Sequence, residues 1–270
     1  MKDANSNSKT LPIGILDSGV GGLTTAVEVI KQLPNESILY FGDSKNMPYG
    51  NKKEEEIIHL ANRMIEYLCK KGVKVILLAC NTISTYIDSL TSDVPLISIV
   101  RAGALDINEK CAENETCGLI ATIATVKSAS YEKELAKLNK KIHIISNSSA
   151  SLPKIIDSHL DNRELLNTKI KECIDPVFES AENINKLVLG CSHFPVIKKE
   201  ISELYPNVRM IDPADKQAKL LKAFLEENGL SNDSGKKTLH VYTTAETYEY
   251  AAAIKRLGLE VDALVKVELS

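Results

Sequence analysis

Short, continuously apolar runs alternate with longer amphipathic stretches along the chain. The runs at 13–16 (IGIL), 38–41 (ILYF), 73–79 (VKVILLA) and 94–100 (VPLISIV) predict strands, and segments such as 23–33 and 53–71 predict helices between them. The second half repeats the scheme at 117–122 (CGLIAT), 142–146 (IHIIS), 186–190 (KLVLG) and 208–212 (VRMID), with a last run at 238–242 (TLHVY). A strand that is apolar on both faces needs cover on both faces. Such runs alternating with helices therefore predict an α/β protein with mostly parallel sheets. Four strands recur in order at nearly constant offsets: 118 − 13 = 105, 142 − 38 = 104, 187 − 75 = 112 and 208 − 94 = 114. That period is too long for a solenoid and points to two related, pseudo-symmetric α/β domains. The polar stretch 228–237 (NGLSNDSGKK) predicts a loop.

Composition narrows the class. With 44% hydrophobic and 26% charged residues, the chain is neither disordered nor fibrous. A formal net charge of −3 and the lack of a basic tract leave no electrostatic footprint for nucleic acid. The longest apolar run, Val75 to Cys80, falls far short of the ~18 residues that a membrane helix needs. Residues 1–10 (MKDANSNSKT) lack the apolar core of a signal peptide, so a disordered polar leader and a cytoplasmic location are expected. Six cysteines in such a chain predict free thiols. None has CxxC spacing and the histidines do not cluster with them, so no metal site is expected.

In an open parallel sheet, ligands sit beyond the carboxyl ends of the strands. After the first run comes Asp17-Ser18-Gly19-Val20-Gly21-Gly22, a glycine-rich turn at a helix start. It matches neither GxxxxGK[ST] nor GxGxxG, and by itself it is only a tight strand-to-helix connection. Asp17 and Ser18 stand where a ligand's ammonium or carboxylate can be read. After the second run come Gly42-Asp43-Ser44 and Met47-Pro48-Tyr49-Gly50, a loop bracketed by Pro and Gly. The third run ends Cys80-Asn81-Thr82, and its counterpart in the second half ends Cys191-Ser192-His193-Phe194-Pro195. A lone cysteine is usually a small buried hydrophobe. Two at matched strand ends of duplicated domains make a different device. One, as thiolate, removes a proton from carbon, and the other, as thiol, returns a proton to the opposite face, which inverts a stereocentre. A thiol pKa of about 8.5 suits both roles. Asp17 and His193 are the candidate proton-sharing neighbours.

The ordered motifs DSGVGGLT, GD, PYG, ACNT and LGCSHFP resemble those of the cofactor-independent glutamate racemases, within the aspartate/glutamate racemase superfamily. The resemblance runs from about Pro12 to Leu225. It implies an active site between two α/β domains, the first (11–100) completed by the C-terminal segment 211–270 and the second spanning 101–210. It also implies two-base racemisation of glutamate without pyridoxal phosphate or metal, supplying D-glutamate for peptidoglycan. In that family the cysteine matching Cys80 acts on the D isomer and the one matching Cys191 on the L isomer. Residues matching Asp17, Ser18, Tyr49, Gly50, Asn81, Thr82, Ser192 and His193 hold the substrate or assist the cysteines. No partner beyond the amino-acid substrate is implied, although the sequence leaves a homodimer open.

The chain departs from the family pattern in three places. IEPGA is replaced by VRAGA (100–104), which introduces Arg101 and Ala102. GTxGT is replaced by Ala121-Thr122-Ile123-Ala124-Thr125, and two alanines in place of glycines are expected to narrow the second-domain side of the cleft. CTHYP is replaced by CSHFP. Arg101 belongs either to the cleft or to an exposed hinge. With no lysine or arginine in the matched motifs, the distal carboxylate is expected on neutral donors from Asn81, Thr82, Thr122, Thr125 and Ser192. The competing readings are a sister racemase for aspartate or another amino acid, a two-domain binding protein, and a Cys-dependent hydrolase. The binding protein would have no use for paired cysteines, and the hydrolase none for a second one.

Overall fold

The computed structural model of the chain describes residues 8–233 and 237–269. Among the described residues, ten strands form two sheets: β1 (Ile13–Asp17), β2 (Ile38–Gly42), β3 (Val75–Leu78), β4 (Leu96–Ser98), β5 (Thr116–Ala121), β6 (His143–Ser148), β7 (Lys186–Gly190), β8 (Arg209–Ile211), β9 (Leu239–Thr243) and β10 (Ala263–Lys266). The larger sheet has the order β10-β9-β2-β1-β3-β4 and the smaller one β6-β5-β7-β8. Every described pairing is parallel.

The duplication seen as a spacing reappears as topology. The order β2-β1-β3-β4 maps strand for strand onto β6-β5-β7-β8. Ile13 lies between Ile38 and Val75, and Gly118 lies between Ile145 and Leu187. In both sheets the first strand of the repeat sits between the second and the third. The residues that follow the first and third strands therefore emerge side by side.

Both faces of the larger sheet are covered, which explains why its strands read as unbroken apolar runs. Ile13, Ile15, Val75 and Leu77 join one buried cluster with Leu23, Ala26 and Val29 of the helix Leu23–Gln32. Leu16, Ile76 and Leu78 point the other way, against Ile57, Leu60, Ala61, Met64, Ile65 and Leu68 of the helix Glu54–Lys70. Each fully buried Leu or Ile contributes about 1.5–3 kcal/mol relative to exposure. Three glutamates in the first turn of that second helix complement its N-terminal dipole.

Some sequence expectations need correction. The run 94–100 is a strand only at Leu96–Ser98; Ile99 and Val100 begin the helix Ile99–Lys110. Ser98 ends the strand by capping that helix, its Oγ accepting from Arg101 N at 3.2 Å. Strand β10 was not predicted, because Val265 and Lys266 at its outer end are exposed and the segment lacks a buried apolar run. Of the expected leader, residues 1–7 lie outside the described residues; Ser8 and Lys9 form a helical turn, and the Lys9 carbonyl accepts from Lys74 Nζ at 2.8 Å. The expected loop 228–237 is described only in part. Among the described residues, no helix is long and apolar enough to cross a membrane.

The C-terminal chain returns to the first sheet. The helix Pro213–Glu227 packs on the helices Leu23–Gln32 and Ile99–Lys110. From it the buried Gln217 Nε2 donates to the carbonyls of Leu78 (3.1 Å) and Ile97 (2.8 Å), so it fastens β3 and β4 just before Cys80.

Candidate active site

Cys80 and Cys191 each follow the third strand of their repeat, and both line one cavity of about 300 Å³ between the two sheets. That is the small end of the range for ligand pockets, about 300–1,000 Å³. Ser18, Tyr49, Gly50, Asn81, Thr82, Thr122, Ser192 and His193 line it too. Asp17 and Thr125 do not line it; they lie fully buried behind that wall.

On the first-sheet side, Ser18 Oγ and Cys80 Sγ are 3.5 Å apart and share a hydrogen bond. Burial, followed by the neighbouring Asp17 carboxylate, pushes the Cys80 thiol up to about 12 against the pull of Ser18. Cys80 is therefore a protonated thiol at neutral pH. Asp17 Oδ1 accepts from Gly19 N at 2.9 Å, while Oδ2 has no hydrogen-bond partner. Burial raises the Asp17 carboxyl above the usual carboxylate range, opposed mainly by His193. A substrate ammonium near Asp17 and Ser18 would offset both the carboxylate's repulsion and the thiol's high pKa.

On the second-sheet side, Cys191 Sγ lies 3.7 Å from His193 Nδ1. His193 Nε2 lies 3.2 Å from a carboxylate oxygen of Asp157 on the helix Leu152–Ser158. Burial opposes the imidazolium, but the Asp157 charge and the Cys191 sulfur outweigh it and hold the His193 pKa well above its ordinary value. Because the folded pKa is raised, the His193–Asp157 pair stabilises the fold fully below the unfolded histidine pKa of about 6.5 and loses that effect as pH rises through the folded value. Asp157→Asn is thus expected to lower the melting temperature more at about pH 6 than at about pH 9. Thermal melts at both pH values check this, and a pH-independent loss would contradict it.

The remaining polar groups join the two halves. Thr82 Oγ1 and Thr122 Oγ1 share a 2.8 Å hydrogen bond, and Thr122 continues to Thr125 Oγ1 at 3.0 Å. Thr24 Oγ1 donates to the Ser192 carbonyl at 3.1 Å. Tyr49 spends its hydroxyl proton on Asp43 Oδ2 at 2.6 Å, so it offers the cavity its ring and backbone. Asp43 also accepts from Asn46 and Thr244, and so anchors the PYG loop.

Several expectations change here. Neither Ala121 nor Ala124 lines the cavity, so the two lost glycines do not narrow it. Ala121 is buried beside Gly190, and Ala124 faces an adjoining open depression of about 1500 Å³ that shares Gly50, Asn51 and Ile123 with the cavity. Arg101 lines that same depression and is exposed, away from both cysteines. A lysine does line the small cavity: Lys154, from a helix outside every motif, which corrects the picture of purely neutral donors. Sequence reasoning also missed Asp157. No local pattern marks it, since its partner His193 comes from a different strand end.

Two α/β halves each set one thiol against the same small cavity. The chain belongs to the Asp/Glu/hydantoin racemase family, which matches residues 19–221. It is 35% identical over 261 residues to glutamate racemase 2 of Caldanaerobacter subterraneus subsp. tengcongensis, an alignment covering 96% of this chain and 97% of that one. The fold is similar to that of a glutamate racemase isoform from Bacillus anthracis, with a TM-score of 0.89 and 30% identity over 97% of this chain and 98% of that one. It is likewise similar to the glutamate racemase of Francisella tularensis subsp. tularensis in complex with D-glutamate, with a TM-score of 0.87 and 32% identity over 97% and 99% of the two chains.

Proposed function

We propose that this racemase interconverts L- and D-glutamate by proton transfer between two thiols, with Cys80 and Cys191 serving opposite faces of Cα. The observation that carries the reading is the pair of thiols lining one small cavity, each at the end of an equivalent strand. One sulfur, as thiolate, takes the Cα proton. The C–H electron pair passes into the α-carboxylate system as a carbanion, and the other sulfur, as thiol, returns a proton from the opposite side. The reverse reaction exchanges the two roles. Ser18 meets the ammonium at the cavity wall, with the Asp17 carboxyl group buried behind it. Asn81, Thr82 and Ser192 hold carboxylate oxygens, and His193, 3.7 Å from Cys191 Sγ, positions that thiol. Tyr49, Gly50, Thr122 and Thr125 shape and brace the site. In this reading residues 11–100 and 211–270 form one domain and 101–210 the other, and the enzyme works in the cytoplasm on D-glutamate for peptidoglycan, alone or as a homodimer.

The substrate choice is tested by parallel circular-dichroism assays on glutamate and aspartate. Buried donors left unpaired by a shorter side chain are costly. Aspartate is therefore expected to be at least about tenfold worse in kcat/KM, roughly 1.4 kcal/mol. Equal or higher activity on aspartate would move the protein to an aspartate racemase.

A further inference from the structure

Asn81 lines the cavity next to Cys80 and is buried. Its Oδ1 accepts from the hydroxyl of Tyr131, 2.7 Å away, while its Nδ2 has no hydrogen-bond partner. Tyr131 belongs to the helix Ser130–Leu135 beside the second sheet, is fully buried, and is packed among Ile99, Val100 and Leu119. The hydrogen bond therefore crosses from one half of the molecule to the other.

A side-chain amide can turn over about its last torsion and exchange oxygen for nitrogen with little change in shape. Turned over, the amide could donate to the phenol oxygen, but the buried phenol proton would then lose its Asn81 acceptor, so Tyr131 favours the orientation with Oδ1 towards it. A phenol whose proton is given to Oδ1 leaves the NH₂ group of this cavity-lining residue buried and without a partner. An unpaired buried donor costs free energy that a ligand acceptor can return. The ring's position is set in turn by Gly103, in the middle of the helix Ile99–Lys110, where glycine is unfavourable for helix formation. A Cβ there would lie 2.7 Å from Tyr131 Cε1 and 3.0 Å from its hydroxyl oxygen. The glycine of the VRAGA segment thus clears the space that the phenol occupies.

We infer that Tyr131, seated against Gly103, is a positioning residue for racemisation: it locks the Asn81 amide so that NH₂ rather than oxygen meets a substrate carboxylate. This rests on the racemase reading of the cavity. The contact is made to the distal carboxylate, which carries the same charge before and during proton transfer, so it stabilises ground state and transition state alike.

Tyr131→Phe keeps the ring and frees the amide. The expected result is a KM for L- and D-glutamate raised about tenfold with kcat changed by less than about threefold. Gly103→Ala, which retains the hydroxyl but displaces the ring, is expected to raise KM in the same way. In an Asn81→Ala background, Tyr131→Phe is expected to change kcat/KM by less than about twofold, because the group it positions is gone. Melting temperatures accompany each measurement. An unchanged KM in Tyr131→Phe overturns the inference, and so does an equal factor in both backgrounds, which marks Tyr131 as merely structural. Wild-type protein that turns over no glutamate overturns the substrate reading, and this inference with it; turnover with additive effects overturns the inference alone.

Discussion

Cys80→Ala and Cys191→Ala are each expected to reduce racemisation by roughly a thousandfold or more, in both directions, because a positioned acid or base contributes about 10²–10⁴ and neither face has a substitute. Each cysteine is 5% exposed as a residue and lines the cavity, so removing one sulfur opens little new void and the variants should stay folded. Cys69→Ala serves as the comparison: Cys69 is half-buried on the helix Glu54–Lys70, outside the cavity, and its loss should leave turnover intact. Polarimetry or circular dichroism starting from each enantiomer, together with thermal melts, gives the answer. Full activity in either cavity variant would refute the two-thiol mechanism. The environments of the two sulfurs differ, since Cys80 is held protonated beside Asp17 while Cys191 stands beside a histidine favoured as a cation.

Gly21→Ala is expected to cost about a hundredfold in kcat, the penalty of a misplacement of about 1 Å at a reacting centre. A Cβ at Gly21 would lie 2.5 Å from His193 Nδ1 and 2.6 Å from Ser192 Oγ, so those side chains must move. The nitrogen that would be displaced is the one facing Cys191 Sγ. Stability should suffer less than activity, because alanine in place of a loop glycine also restricts the unfolded chain, worth about 0.4–1 kcal/mol. Steady-state kinetics beside a thermal melt separates the two effects. Wild-type kcat in Gly21→Ala would show that the second-half loop yields freely and that His193 needs no fixed place.

The glycine-rich turn illustrates how a local signal acquires its meaning. As sequence it permits only a tight strand-to-helix connection. In the fold, Gly21 is the point where the first half of the molecule closes against Ser192 and His193 of the second. The VRAGA departure behaves in the opposite way. Arg101 is its most conspicuous residue, yet it faces an outer depression, while the unobtrusive Gly103 makes room for Tyr131 and, through it, for Asn81. Chemical prominence in a sequence reports what a side chain can do, and only placement reports whether it has the opportunity.

The amino-acid sequence by itself determined the two-sheet α/β plan, the four-strand duplication and the two cysteines at matched strand ends. These features are legible because strands buried on both faces must be apolar throughout, and parallel strands deliver their chemistry at one predictable end. Tertiary structure alone decided that Asp157 faces His193, that Tyr131 holds Asn81, that Asp17 sits behind the cavity wall and that Lys154 lines it. It also decided that half-exposed β10 extends the first sheet. Each of these depends on segments far apart in the chain meeting within a few ångströms. Hydrophobic periodicity records which face of an element is buried; it does not record which distant side chain arrives on the other side of the contact.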